Sequence, residues 1–181
     1  DLVPKKNQLV LTREPGGTIL GRSIRSLLLE NNREVSPDSV TELLLYAADR
    51  SQHVNEIIRP TLNKGDWVIS DRFCGSTLAY QGYGRKLNLE LIKDLEKIAT
   101  QGIYPDITFL LDIPVKESMK RRIHKKNDRI EKEGEEFLSN VSLGFQKLSE
   151  DNKWKKISAI NSKEEITSEI KTEIINFMKK K

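Results

Sequence analysis

The stretch ITFLLD, residues 107–112, constrains the fold more than any other part of this chain. A strand with one face in water alternates apolar and polar residues, and this run does not. Continuous apolar strands are usually covered on both faces, which is the habit of parallel sheets flanked by helices. Three shorter runs read the same way: QLVLT at 8–12, WVIS at 67–70 and KISAI at 156–160.

Between these runs the apolar residues recur at helical spacing. Ile24, Leu27 and Leu28 follow the first strand. A long helical stretch opens behind Ser36, a cap candidate just ahead of Pro37, with Leu43, Ala47, Val54 and Ile58 on one face. Leu89, Ile92, Leu95 and Ile98 form an amphipathic set that stops near Gly102. Phe137, Val141 and Leu148 mark another helix. Ser162 with Glu165 is a capping box opening a last helix on Ile166, Ile170, Ile174 and Phe177. Strands separated by one or two helices imply right-handed crossovers and one parallel sheet. With 181 residues and no repeat or linker, a single α/β domain over 1–181 is expected.

Composition narrows the function classes. No apolar run approaches the roughly 20 residues of a membrane span, so no membrane partner is expected. Cys74 is the only cysteine, which excludes an internal disulfide, and a cytoplasmic location is the default expectation. The net charge of +4 points only weakly to an anionic partner.

In an open parallel sheet, ligands bind beyond the carboxyl ends of the strands. That rule selects Arg13, Glu14, Gly16 and Gly17 after the first strand, Asp71 and Arg72 after the second, and Asp112 after the third. An acid closing an apolar strand is the pattern of a nucleotide-site aspartate acting on Mg²⁺ directly or through water. A guanidinium beside it suits phosphate recognition; an internal Asp71–Arg72 pairing or a solvated loop fits the same residues. Tyr46 and Arg50 share a helix face and could hold a flat base by stacking and by a hydrogen bond, or belong to the core. The basic run KRRIHKKNDR at 120–129 suits a solvated face, a nucleic-acid patch, or arginines closing over a polyphosphate. It carries no interleaved aromatic residue, which disfavours base stacking on single strands.

Taken together, LTREPGGT, LLLYAADR, VISDRFCGSTLAYQGYGR, YPDITFLLD and DRIE stand in an order and at spacings that closely resemble the bacterial thymidylate kinase family of P-loop nucleoside-monophosphate kinases. The resemblance runs from about Gln8 to the last helix. It implies a three-layer P-loop NTPase-like sheet between helices, and transfer of a phosphoryl group from ATP to dTMP with Mg²⁺, yielding dTDP for dTTP synthesis. It implies that Arg72 holds the dTMP phosphate and Asp71 acts near Mg²⁺ and the phosphates. Tyr46 matches the aromatic stacked on thymine, and Arg50 the arginine on the thymine edge. Ser76, Thr77 and Gln81 match polar contacts around the base, and Tyr80 the tyrosine near the sugar 2′ position. Glu14 is implied near the acceptor phosphate and the metal, directly or through water, and Arg25 in the same pocket. Arg121, Arg122 and Arg129 fall in the segment resembling the LID, about 119–132, with the catalytic one among them left open. His53 and His124 are expected at the surface, and Cys74 as a small packed residue. Family members are usually homodimers, and no nucleic-acid partner is implied.

One element of the family pattern is absent from the sequence. No GxxxxGK[ST], the loop that cradles ATP phosphates, follows the first strand. The expectation is therefore that the central first strand and its loop, roughly 30 to 40 residues, precede Asp1, and that these 181 residues alone fold poorly and do not turn over. The alternatives are another nucleoside-monophosphate or deoxynucleoside kinase, a noncatalytic nucleotide-binding module retaining the dTMP site, and, with least support, a basic nucleic-acid binder.

Overall fold

The chain alternates short parallel strands with helices. The structure, a computed structural model, describes residues 2–31, 36–123 and 128–180. Strand β1 (Leu9–Arg13) leads to α1 (Ile19–Leu29) and α2 (Ser39–His53), which runs on through π-helical turns (Val54–Ile58) into α3 (Arg59–Asn63). Then come β2 (Trp67–Asp71), α4 (Cys74–Thr77) continuing in a π-helical stretch (Leu78–Gly84), and α5 (Leu89–Thr100). Strand β3 (Phe109–Asp112), α6 (Val115–Lys120), a 3-10 turn (Glu131–Glu133), α7 (Glu135–Asp151), β4 (Lys155–Ser158) and α8 (Lys163–Met178) complete the order.

All strand pairing among the described residues is parallel, as the apolar runs imply. The single sheet expected from them is instead two two-stranded ladders, β1–β2 and β3–β4. Leu11 stands opposite Ile69 and Arg13 opposite Asp71 in the first; Leu111 stands opposite Ile157 in the second. The first register sets the loop after β1 beside Asp71 and Arg72, and the amide of Glu14 donates to the Asp71 carbonyl at 3.0 Å. Leu9, Leu11, Ile69 and Leu111 point to exposed faces of these ladders.

Local chemistry sets the helix ends. Asp38, not Ser36, caps α2, its Oδ1 accepting from the amides of Val40 and Thr41 at 2.8 and 3.0 Å. The residue before a proline is pushed towards extended backbone, so Ser36 stays outside the helix, two residues before the cap. The Ser162–Glu165 capping box forms as expected. Helix α5 ends at Gln101 with left-handed φ of 50°. Its inward stripe departs from the expected one: Ile92 is buried, but Glu96 and Ala99 are too, while Ile98 is exposed.

The main apolar cluster joins the π-helical stretch to α7 and the turn before it: Ala79, Ile130, Phe137, Leu138, Val141 and Leu148, with Tyr80, Tyr83 and Phe145 packed against it. The backbones come close because Gly144 leaves room. A Cβ there would lie 2.7 Å from the Tyr83 ring, a distance at which something must shift. The cluster thus fixes residues 78–84, which carry two of the expected ligand contacts, on a rigid helix.

Candidate functional site

The residues at the ends of β1 and β2 divide into an interior group and an outward-facing group. Glu14 belongs to the interior, only 3% exposed. Its Oε2 accepts from Nε and a terminal nitrogen of Arg50, both at 2.8 Å, and its Oε1 lies 2.8 Å from His53 Nδ1. Arg50 also donates to Thr77 Oγ1 at 2.9 Å and to Glu96, and lies over the Phe73 ring. Burial disfavours the charged guanidinium, but Glu14 and Glu96 outweigh it and raise the Arg50 pKa above its ordinary value. His53 Nε2 lies 2.7 Å from Thr12 Oγ1. His53, expected at the surface, is thus fully buried, because the loop after β1 folds over it.

That loop is stitched down at several points. The amide of Gly16 donates to Asp49 Oδ1 at 3.0 Å, and Arg25 donates to the Pro15 carbonyl at 2.9 Å. Gly17 packs so close to His53 that a Cβ would meet the ring at 2.7 Å and Thr12 Oγ1 at 2.8 Å. Burial pushes the Asp49 carboxyl up to about 6, against the pull of the Gly16 amide.

The outward group is Asp71 and Arg72, with the half-buried Tyr46 and Tyr80 beside them. Asp71 and Arg72 are exposed where β2 ends. Arg72 adopts φ of 74°, the left-handed region that a side chain enters at a cost, and its carbonyl accepts from Ser70 Oγ at 2.7 Å. Its guanidinium lies 5.1 Å from the centre of the Tyr80 ring, itself edge-on to Phe145. Burial raises the Tyr46 phenol, and the neighbouring charges of Glu42 and Arg72 act on it too. An exposed guanidinium stacked on an aromatic ring keeps the edge of its planar fork available to an anion. Ser76 is half-buried on α4, one residue before Thr77.

Residues 2–170 match the family model described as thymidylate kinase. The chain is 77% identical over 181 residues to the thymidylate kinase of Prochlorococcus marinus strain NATL2A, covering all of this chain and 86% of that protein. It is 53% identical over 175 residues to the one from strain MIT 9312, covering 97% of this chain and 82% of that protein. The crystal structure of thymidylate kinase from Ehrlichia chaffeensis superposes with a TM-score of 0.66 at 37% identity, over 83% of this chain and 68% of that one. The chain belongs to the thymidylate kinase family.

Within this thymidylate kinase fold, the residues implied by the resemblance do not all face one way. Arg72, Tyr46 and Tyr80 come together, with Asp71 adjoining. Arg50, Thr77 and Gln81, implied as base contacts, are each at most 2% exposed, and their side chains engage Glu14, Glu96 and Glu42. Among the implied LID arginines, Arg121 donates to the Ala159 carbonyl at 2.9 Å, and Arg122 pairs with Glu131 at 2.8 Å. Arg129 is tied to Glu42 and to the Leu28 carbonyl. His124 lies outside the described residues. Cys74 is half-buried, its thiol held neutral by burial. Asp112 is held by Gln146 Nε2 at 2.6 Å.

Sequence reasoning missed Glu42 and Glu96. Both are buried carboxylates on helices whose cationic partners are far away in the chain. Glu42 takes Gln81 Nε2 at 2.8 Å, Arg85 at 3.2 and 3.1 Å, and Arg129. Burial alone would raise its carboxyl, but these donors hold it below the usual range.

Of the two acids implied at the metal, Asp71 fits Mg²⁺: its carboxylate is exposed at a strand end, and Mg²⁺ is usually held through only one or two carboxylates. Glu14 fits poorly, since both its oxygens are engaged in the interior. Among the described residues no group of three or more His, Cys, Asp or Glu side chains could hold a metal by itself. No helix among them is long and apolar enough to cross a membrane.

Proposed function

We propose that this chain carries the acceptor site of an ATP-dependent dTMP kinase, with Arg72 as the ligand of the dTMP phosphate. The observation that carries this reading is the Arg72 geometry: an exposed guanidinium on left-handed backbone, at the carboxyl end of a parallel strand, stacked on Tyr80. Tyr46 stacks on the base, and Ser76 lies within the same loop. Tyr80 limits room at the sugar 2′ position. Arg50, Thr77 and Gln81 support the base pocket from within, through the carboxylates they engage, and Arg25 fixes the loop beside it. Asp71 would hold Mg²⁺, whose charge would offset that of the phosphates. Phosphoryl transfer asks the protein mainly to position and neutralise, and no nucleophilic side chain is required. Of the three arginines in the LID-like segment, Arg121 is exposed and Arg122 and Arg129 are half-buried, and we assign the donor phosphates to Arg121 and Arg122.

The lysine-bearing glycine loop that would cradle ATP is not encoded in these 181 residues. The acceptor assignment is therefore tested by dTMP binding rather than by turnover. Exposed Leu20 and Leu27 on α1 and Leu44 on α2 supply apolar area for pairing of two copies, which sedimentation would detect. The test of the acceptor assignment is a binding panel of dTMP, dCMP, dAMP and the ribonucleotide of thymine. Selective binding of dTMP is expected; equal binding of dAMP would overturn the assignment and favour another nucleotide kinase site.

A further inference from the structure

We propose that Glu42 is a positioning residue that couples the dTMP pocket to the segment 128–133, by holding Gln81 and Arg85 on one side and Arg129 on the other. This rests on the dTMP-site reading above. Glu42 is fully buried on α2, one helical turn before Tyr46 and on the same face. Its Oε1 accepts from Gln81 Nε2 and Arg85 Nε, and its Oε2 from the Arg85 and Arg129 guanidiniums. Gln81 adjoins Tyr80 in the π-helical stretch, so two of the elements that form the pocket reach this one carboxylate directly.

The other side of the link is equally specific. Arg129 Nε donates to the Leu28 carbonyl at 2.7 Å, and its amide donates to the Leu29 carbonyl at 3.1 Å. Arg85 reaches Glu133 at 2.6 Å and lies over the Phe137 ring. Arg129 is therefore a strut between the end of α1, α2 and residues 128–133. A buried carboxylate facing two guanidiniums does not exchange its partners for water at low cost. Ordering of Tyr46 and Tyr80 by a nucleotide would then stiffen the anchor of residues 128–133 through Glu42. Coupling of this kind is a free energy shared between two sites and is measured as such.

The test is backbone hydrogen exchange of residues 128–133 with and without saturating dTMP, alongside a dTMP titration of the same samples. In the wild-type chain dTMP is expected to slow exchange there by at least about fivefold. In Arg129→Leu, which cuts the link from its half-buried end, and in Glu42→Gln, each compared at its own saturating dTMP concentration, that slowing is expected to vanish. A purely structural role would raise exchange in both states and leave the dTMP-dependent slowing intact, and that result would overturn the proposal. So would bound dTMP with no slowing in the wild type. Absence of dTMP binding in the titration would overturn the site reading itself, and this inference with it. Should Glu42→Gln not fold, Arg129→Leu decides alone.

Discussion

Glu14 and Arg50 meet in the interior through two contacts of 2.8 Å, and neither side chain reaches solvent. Removing one partner of such a pair leaves the other charge buried and unmatched, which costs about 3–5 kcal/mol. Arg50→Met, which strands both Glu14 and Glu96, is expected to lower the stability measured by urea unfolding by that amount. A loss under about 1 kcal/mol would mean that the pair is open to water in solution.

Arg72 should behave in the opposite way. Its left-handed backbone costs roughly 1 kcal/mol that glycine would not incur, and its side chain is exposed. Arg72→Gly is expected to leave the fold equally or slightly more stable and to weaken dTMP binding. Thermal melts with and without dTMP check both halves: the apo melting temperature holds or rises, and the ligand-induced increase shrinks.

Asp49 gives a pH signature. Its carboxyl is raised from 3.8 to about 6 by burial. Between those values the native chain holds a proton that the unfolded chain has lost, so this group makes stability fall as pH rises from about 4 to about 6. Asp49→Asn keeps an acceptor oxygen for the Gly16 amide and cannot ionise. Its stability relative to wild type is expected to climb across that window by at most about 3 kcal/mol and to stay level above it. A difference independent of pH would show that Asp49 titrates normally.

Tyr46 is assigned to the base. Loss of one base–aromatic stack costs about 1–3 kcal/mol, so Tyr46→Ala is expected to weaken dTMP roughly 5- to 150-fold. Its effect on inorganic phosphate, a competitor for Arg72 alone, should be small. Equal weakening of both ligands would point to a general loss of fold.

The place of Asp71, Arg72 and the loop after β1, side by side at the ends of paired strands, was legible because WVISD announces where a strand surfaces. The interior network was not. Glu96 sits on a helix whose apolar spacing pointed to Ile98 as an inward residue, yet Arg50 needs a second carboxylate, and that demand turns Glu96 inward and Ile98 out. Glu42 reads locally as a charge ahead of three leucines; its partners Arg85 and Arg129 are 43 and 87 positions away. His53 went unrecognised for the same reason, since only the folded loop brings Glu14 and Thr12 to its two ring nitrogens. The division of the strands into two ladders is likewise a tertiary fact, because the apolar runs report parallel pairing but not which strands pair.

The most direct test of the account is calorimetric titration of dTMP into the wild-type chain and into Arg72→Met. A charged hydrogen-bonding contact to phosphate is worth about 1.5–3 kcal/mol, so the account predicts saturable binding that Arg72→Met weakens roughly 10- to 150-fold with the fold intact. Equal affinity in the two proteins, or no dTMP binding by a folded wild type, would contradict it.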